Sequence, residues 1–313
     1  MLKISNSGGT EIPNGYGKTH ITAITEQTVN GGYVEYNPID AYPQTYSGEK
    51  IHTASYGFKT VKSSAIPSAM TQAVQGAAIY GNYMFITGND KVSCINMPGL
   101  TIATANMSVT TGHGNGAGFS NQFYDSGDSF PLLYTCASHW AGGSNPVVYA
   151  LRVTTSSATL VKTIKCANFL GYYSTGTVSG HLLYILGFTQ NSTEAGSGNR
   201  LHCGIFDLDV LTDNGDDTYS PELVKDFYLD YMSVLQGCSV FDGRFWVERY
   251  NETSHKTDVL GIDPVTEKIV TNVSGIGSKE SEGIDWYFDS DKGIYQMVVV
   301  YNGGDTQFFE FER

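Results

Sequence analysis

A short phrase recurs along this chain at intervals of roughly 40 to 60 residues, and this self-similarity restricts the fold more than any single motif. It reads Gln75-Gly76-Ala77-Ala78-Ile79-Tyr80-Gly81-Asn82-Tyr83-Met84-Phe85 and again Gln236-Gly237-Cys238-Ser239-Val240-Phe241-Asp242-Gly243-Arg244-Phe245-Trp246. Looser copies start at Gly176-Thr177-Val178-Ser179-Gly180-His181 and at Glu282-Gly283-Ile284-Asp285-Trp286. Each copy is a short strand, a tight turn and an apolar strand rich in aromatics. A repeated four-stranded unit of this length is a propeller blade. The expected fold is therefore all-β: a five-bladed β-propeller over residues 51–313, preceded by a small β appendage over residues 1–50.

Alternation and short apolar runs dominate, and a helical period is nearly absent. Four blades lie at about Gln75–Val109, Gly112–Cys166, the stretch up to Leu229, and Met232–Ile276. The last, from Glu282, offers only three strands: Gly283–Tyr287, Gly293–Tyr301 and Thr306–Phe311. An unpaired outer edge there would expose a row of backbone donors and acceptors. The upstream segment Tyr56-Gly57-Phe58-Lys59-Thr60-Val61-Lys62 resembles the outer strands of other blades, so it is expected to pair there and close the ring. Two long polar insertions in the third blade, Gln190–Asn199 and Thr212–Thr218, are candidate contact loops. Residues 1–50 hold an alternating hairpin, Thr19–Thr25 and Gly32–Tyr36 around Asn30-Gly31. Alone it buries too little to be stable, so it reads as an attachment element or as a decoration of the propeller.

The balance of 18 basic against 31 acidic residues, a net charge of −13, disfavours nucleic acid as a partner. No stretch nears the ~18 consecutive apolar residues of a membrane span, and the first nine residues hold no apolar run of a secretory signal. Export by another route, such as lysis, is expected of a chain that works outside a cell. The five cysteines are far apart and form no CxxC pair, which reads as buried free thiols. The seven histidines show no HExxH or His-x-His spacing, no Gly-x-Ser-x-Gly occurs, and no cofactor or metal is expected. The acidic turns Asp213–Asp217 and Asp289–Gly293 do not fit a calcium loop and read as ordinary tight turns.

Two groups of candidate ligand-binding residues remain. His113 and Asn115 occupy the place that holds Gln75, Gln236 and Glu282 in other blades, so these five side chains should converge at one mouth of the central channel. They either grip a sugar or an ion, or bond the backbone of neighbouring blades. Trp140, in a turn-rich loop, with Tyr172 and Tyr173 could stack on a sugar ring; the alternative is a cap over a blade edge. Trp246 and Trp286 follow the repeated phrase and read as core. Catalytic residues are not expected. A glycosidase needs carboxylates from several blades meeting at one point, and two recurrent positions hold Gln. Asp125, Asp128, Glu282 and Asp285 are the acids nearest the inner strands.

The stretch with His113 and Asn115, followed by Phe123-Tyr124-Asp125-Ser126-Gly127-Asp128-Ser129-Phe130-Pro131-Leu132-Leu133-Tyr134, resembles a five-bladed propeller domain of tail-associated proteins in phages and prophages of gut bacteria. The resemblance covers about residues 52–313 and rests on His113, Asn115, Asp125, Asp128 and Pro131. It implies a non-enzymatic receptor-binding module on a virion. The expected partners are a host-surface polysaccharide and, through the hairpin of residues 1–50, which lies outside the resemblance, other tail proteins. Tail symmetry makes a homotrimer the expected assembly, although no heptad run marks one. Two rival readings stay open: a glycoside hydrolase or lyase acting on polysaccharide, and a purely structural tail component.

Overall fold

The computed structural model describes residues 57–65, 70, 73–137, 145–192, 199–229, 234–251, 254–277, 279–303 and 305–312. The expected segment 1–50 lies outside them, as does the middle of the first third-blade insertion, residues 193–198. Among the described residues there are twenty strands and no helix.

The strands fall into antiparallel meanders in chain order. The first joins β2 (Gly76–Tyr80), β3 (Tyr83–Gly88), β4 (Lys91–Asn96) and β5 (Thr101–Ser108). Another joins β14 (Val234–Phe241), β15 (Arg244–Asn251), β16 (Lys256–Asp263) and β17 (Lys268–Ile276). Between them runs an eight-stranded sheet made of two such meanders. One is β6 (Asn115–Phe119), β7 (Leu133–Ala137), β8 (Val147–Val153) and β9 (Ala158–Lys165). The other is β10 (Tyr172–Ser179), β11 (Leu182–Phe188), β12 (Leu201–Asp213) and β13 (Thr218–Leu229).

The last sheet contains β18 (Ser281–Asp289), β19 (Ile294–Tyr301) and β20 (Asp305–Glu312), and its outer place is taken by β1 (Gly57–Ala65). β1 lies antiparallel to β20, from Gly57 opposite Glu312 to Ala65 opposite Asp305. The edge that three C-terminal strands would leave bare is thus paired by the N-terminal strand, as its sequence led us to expect.

The second polar insertion is not a free loop. Residues 212–218 extend β12 and β13 past the body of their meander, and Thr218 and Tyr219 pair in parallel with Thr163 and Ile164 of β9. Lys165 Nζ sits 2.9 Å from Asp216 Oδ2 at the same point. Polar composition marked the turn correctly but hid the fact that its flanks continue as strands.

The first strands of the meanders pack in a cycle: β2 on β6, β6 on β10, β10 on β14, β14 on β18, and β18 on β2. The apolar core follows the same cycle as five clusters, each between two neighbouring meanders. Alternation explains the continuous apolar runs, because both faces of a middle strand are covered. Met297, Val299 and Tyr301 of β19 face the β14–β17 sheet, and Val298 and Val300 face the β2–β5 sheet. Trp246 and Trp286 lie in the cluster between β14–β17 and β18–β20, as expected of core residues. All five cysteines are buried and free.

The repeated glycine of the phrase has its reason at the centre of the cycle. A Cβ on Gly116 would stand 2.5 Å from the Gly176 carbonyl oxygen, and the residue has φ +75, where side chains are strained. A Cβ on Gly283 would stand 2.6 Å from the amide nitrogen of Ala77, and one on Gly237 would stand 2.6 Å from Gly283 Cα. The inner strands therefore meet backbone to backbone. Gly116 N–H donates to the Gln75 carbonyl at 3.0 Å, and the Thr177 hydroxyl donates to the Ala117 carbonyl at 2.9 Å.

Gly116→Ala should lower unfolding stability by about 3 kcal/mol, through overpacking and backbone strain. Gly127→Ala, at an exposed turn with open space around it, should change stability by less than about 0.5 kcal/mol. Urea denaturation of the two variants beside the parent measures the difference.

Candidate functional site

The expected mouth residues share one end of the cycle because each stands at or just before the beginning of an inner strand. Gln75 precedes β2, Asn115 opens β6, and Gln236 and Glu282 lie in the first residues of β14 and β18. All four are buried. Asn115, next to the ring glycine Gly116, takes the ring position, and Thr175 before Gly176 is its counterpart in the β10 meander. His113 is one step outside, half-buried, with Nδ1 3.0 Å from Asn89 Oδ1. Burial pulls its pKa below the ordinary value.

Some of these polar groups bond the protein itself, whereas Asn115 Oδ1 is buried with no hydrogen-bond partner among the described residues. Gln236 Nε2 donates to Glu280 Oε1 at 2.5 Å, and the Thr175 hydroxyl sits 3.3 Å from Cys238 Sγ. Asp285 reaches from β18 to both neighbours, accepting from the Ile79 amide at 2.5 Å and from the Ser239 hydroxyl at 2.6 Å. Surrounded by protein although solvent touches it, its carboxyl is pushed up to about 6. Burial pushes Glu282 up to about 9, and the neighbouring carboxyls of Glu280 and Glu248 add to the shift.

Glu248 was not singled out in the sequence. It sits on β15 among strand residues, fully buried, with its Oε2 against the backbone of Gly237. Ser281 and the Gly237 amide lie near it without reaching hydrogen-bonding geometry, and burial drives its pKa well up. Buried carboxyls with few partners stay protonated. Glu248 and Glu282 stand on adjacent sheets, near enough that charge on one disfavours charge on the other.

Of the aromatic trio, Tyr172 and Tyr173 lie half-buried against the cluster between β10–β13 and β14–β17, with Tyr173 held at φ 48. Trp140 lies outside the described residues. The acids Asp125 and Asp128 do not join the ring: Arg152 lies 2.9 Å from one and 2.6 Å from the other, and its guanidinium stands 5.0 Å from the Tyr124 ring centre. Bonding to Arg152 holds the Asp128 carboxyl below the ordinary carboxylate range.

An open cavity of about 530 Å³ lies at the other end of the inner strands. Its walls are the β2–β3 turn (Tyr80, Gly81, Asn82, Tyr83), Ser129 and Phe130 of the β6–β7 loop, and Thr154 and Thr155 of the β8–β9 turn. Tyr80 and Tyr83 pack on Phe130 with ring centres 6.0 and 5.4 Å apart, and Phe119 backs Tyr80 at 5.5 Å. Tyr80 remains 39 % exposed. The Asp125–Asp128 turn clamped by Arg152 immediately precedes Ser129 and Phe130, so that ion pair sets the course of one wall. The cavity volume lies within the usual span for small-ligand sites, and its mix of aromatic faces and neutral rims suits a sugar. Sequence reading placed Tyr83 at the start of a strand and singled out neither Tyr80 nor Tyr83 as a site residue. The signal available was two tyrosines bracketing one tight turn.

No family model matches this chain, and no curated relative matches it either. Among solved structures, glutaminyl cyclase from Myxococcus xanthus aligns over 82 % of this chain and 97 % of its own, with TM-score 0.51 and 12 % identity. A GH43_1 enzyme from Xanthomonas citri complexed with xylose aligns over 80 % of this chain and 90 % of its own, with TM-score 0.44 and 9 % identity. The first likeness shows a shared β-propeller-like fold and nothing about chemistry. The second is too distant to carry an argument.

Glu282 predicts an unusual pH dependence. Below the ordinary value of 4.5, Glu282 is protonated in both folded and unfolded chains. Above it only the unfolded chain ionises, so stability falls as pH rises and levels off beyond about 9. Glu282→Gln, which installs the side chain found at Gln75 and Gln236, should add on the order of 2 kcal/mol near pH 7 and nothing near pH 4. Urea midpoints at the two pH values test this.

Proposed function

We propose that this chain is a five-bladed β-propeller that binds a neutral glycan in the cleft formed by Tyr80, Tyr83 and Phe130, without turning it over. The aromatic cleft with its Asn82, Ser129, Thr154 and Thr155 rim carries the reading. It offers ring faces for stacking and uncharged hydrogen-bonding groups around them, and it lies open. The mouth residues Gln75, Asn115, Gln236 and Glu282 are buried by comparison, and a structural role in the inner ring accounts for them; His113 stands as the more accessible member of that group. A place on a phage tail with a host-surface polysaccharide as the ligand follows from the resemblance of residues 52–313 to tail-associated propellers, and attachment through residues 1–50 from the hairpin there, which buries too little to stand alone. A homotrimer is the assembly that symmetry would favour there.

One observation favours the second reading, a polysaccharide hydrolase: Glu282 and Glu248 supply protonated carboxyls from two adjacent sheets. A protonated acid is what cleavage of a glycosidic bond requires. Their burial weighs against it.

Native electrophoresis through gels containing bacterial surface polysaccharides, stained afterwards for polymer, separates the readings. Retardation with intact stain is expected. Tyr80→Ala should weaken it about tenfold or more, corresponding to about 1.4 kcal/mol. His113→Ala, at the opposite end of the ring, should leave it unchanged. Retardation lost in His113→Ala and kept in Tyr80→Ala would move the site to the channel mouth. A cleared zone that Glu282→Gln abolishes would establish turnover. Free migration through every gel would bring the structural tail role forward.

A further inference from the structure

The turn between β10 and β11 lies on the same end of the inner strands as the aromatic cleft and carries His181. The first residue of β11, Leu182, is opposite Asp207 on β12, and Leu208 N–H donates to the His181 carbonyl at 2.9 Å. Alternation along β12 buries Leu208 in the core and turns Asp207 and Asp209 outward together. The result is a trio: one ligand atom each from His181, Asp207 and Asp209, all within 4.8 Å of one another.

The surroundings orient these groups. Asp207 Oδ1 accepts from the Asp209 amide at 2.8 Å, and Gln122 Nε2 donates to Asp209 Oδ1 at 2.6 Å. Each carboxylate keeps its second oxygen. The Tyr134 hydroxyl, 1 % exposed and with no hydrogen-bond partner among the described residues, lies within electrostatic reach of Asp209. Burial and then the charge of Asp209 hold that phenol protonated, so it keeps an unused donor. An unpaired buried donor is costly unless something completes it.

The geometry points to a divalent-cation site formed by His181, Asp207 and Asp209, of the kind that takes Zn²⁺. An imidazole with two carboxylates is a mixed nitrogen and oxygen set, which suits zinc better than the all-oxygen shells of Ca²⁺ or Mg²⁺. Two carboxylates also neutralise a dication. Bonds of about 2.0–2.2 Å to the metal require the ligand atoms to close to about 3.4 Å, a small movement for the exposed Asp209. The ion joins the β10–β11 turn to β12 and, through Gln122, to the β6–β7 loop of the neighbouring meander.

Calorimetric titration of the chelator-stripped full chain with ZnCl₂ tests the site without any glycan. The parent is expected to bind one equivalent that Asp209→Asn and His181→Gln each lose or weaken at least tenfold. His255→Gln, at an exposed turn elsewhere, should leave that equivalent in place. Circular dichroism confirms that each variant is folded. Should His181→Gln fail to fold, the exposed Asp209→Asn decides alone. Zinc uptake identical in Asp209→Asn and the parent, or no uptake by the parent, overturns the assignment. Tighter binding of CaCl₂ than ZnCl₂ overturns the ion class.

Discussion

The structure depends on how closely the inner strands approach one another. Where Gly116 meets Gly176, and where Gly237, Gly283 and Ala77 meet in turn, the backbones come within the distance at which a single Cβ would collide. Packing cannot yield at that radius, because a neighbour on one side is itself held by a neighbour on the other. The rest follows outward. Sheets that touch at the centre must splay, and the space between them is filled by five clusters of apolar side chains, with Trp246, Phe169, Phe188 and Phe308 among their largest members. The last gap is shut by pairing β1 with β20.

That constraint also decides where chemistry can occur. A centre built from backbone leaves little room for a substrate, and polar groups next to the glycines are drawn into bonds between sheets. Asp285, bonded to Ile79 and Ser239, serves three inner strands at once. The acids Glu248 and Glu282 are kept neutral because water is excluded from them. Open surface is found instead where inner strands end in turns. There the sequence is free to place side chains such as Tyr80, Phe130 and His181 without disturbing the ring.

Much of the architecture was legible because it is repetitive. A glycine at a fixed place before an apolar run can be recognised without coordinates, and so could the missing fourth strand of the last sheet and its N-terminal replacement. The aromatic cleft was not legible in the same way. Tyr80, Ser129 and Thr154 come from three separate turns, and Tyr80 looks like any strand-ending aromatic until Phe130 is brought against it. The extended β12–β13 hairpin misled for a different reason: its Asp and Asn residues make the turn at residues 214–217, but backbone pairing with β9 depends on a neighbour distant in sequence.

The sequence by itself determined the class of fold, the repeat, the closing strand and the burial of the cysteines and of Trp246 and Trp286. Local alternation and glycine placement act within a few residues, and both are written in order along the chain. Only the tertiary structure decided that Gln75, Asn115 and Gln236 are buried at the ring, that Glu248 stands near Glu282, and that Asp209 lies within reach of His181 and Gln122. Those relations join residues that are separated along the chain or belong to different meanders. Burial and electrostatics depend on distance in space, which the order of residues does not record.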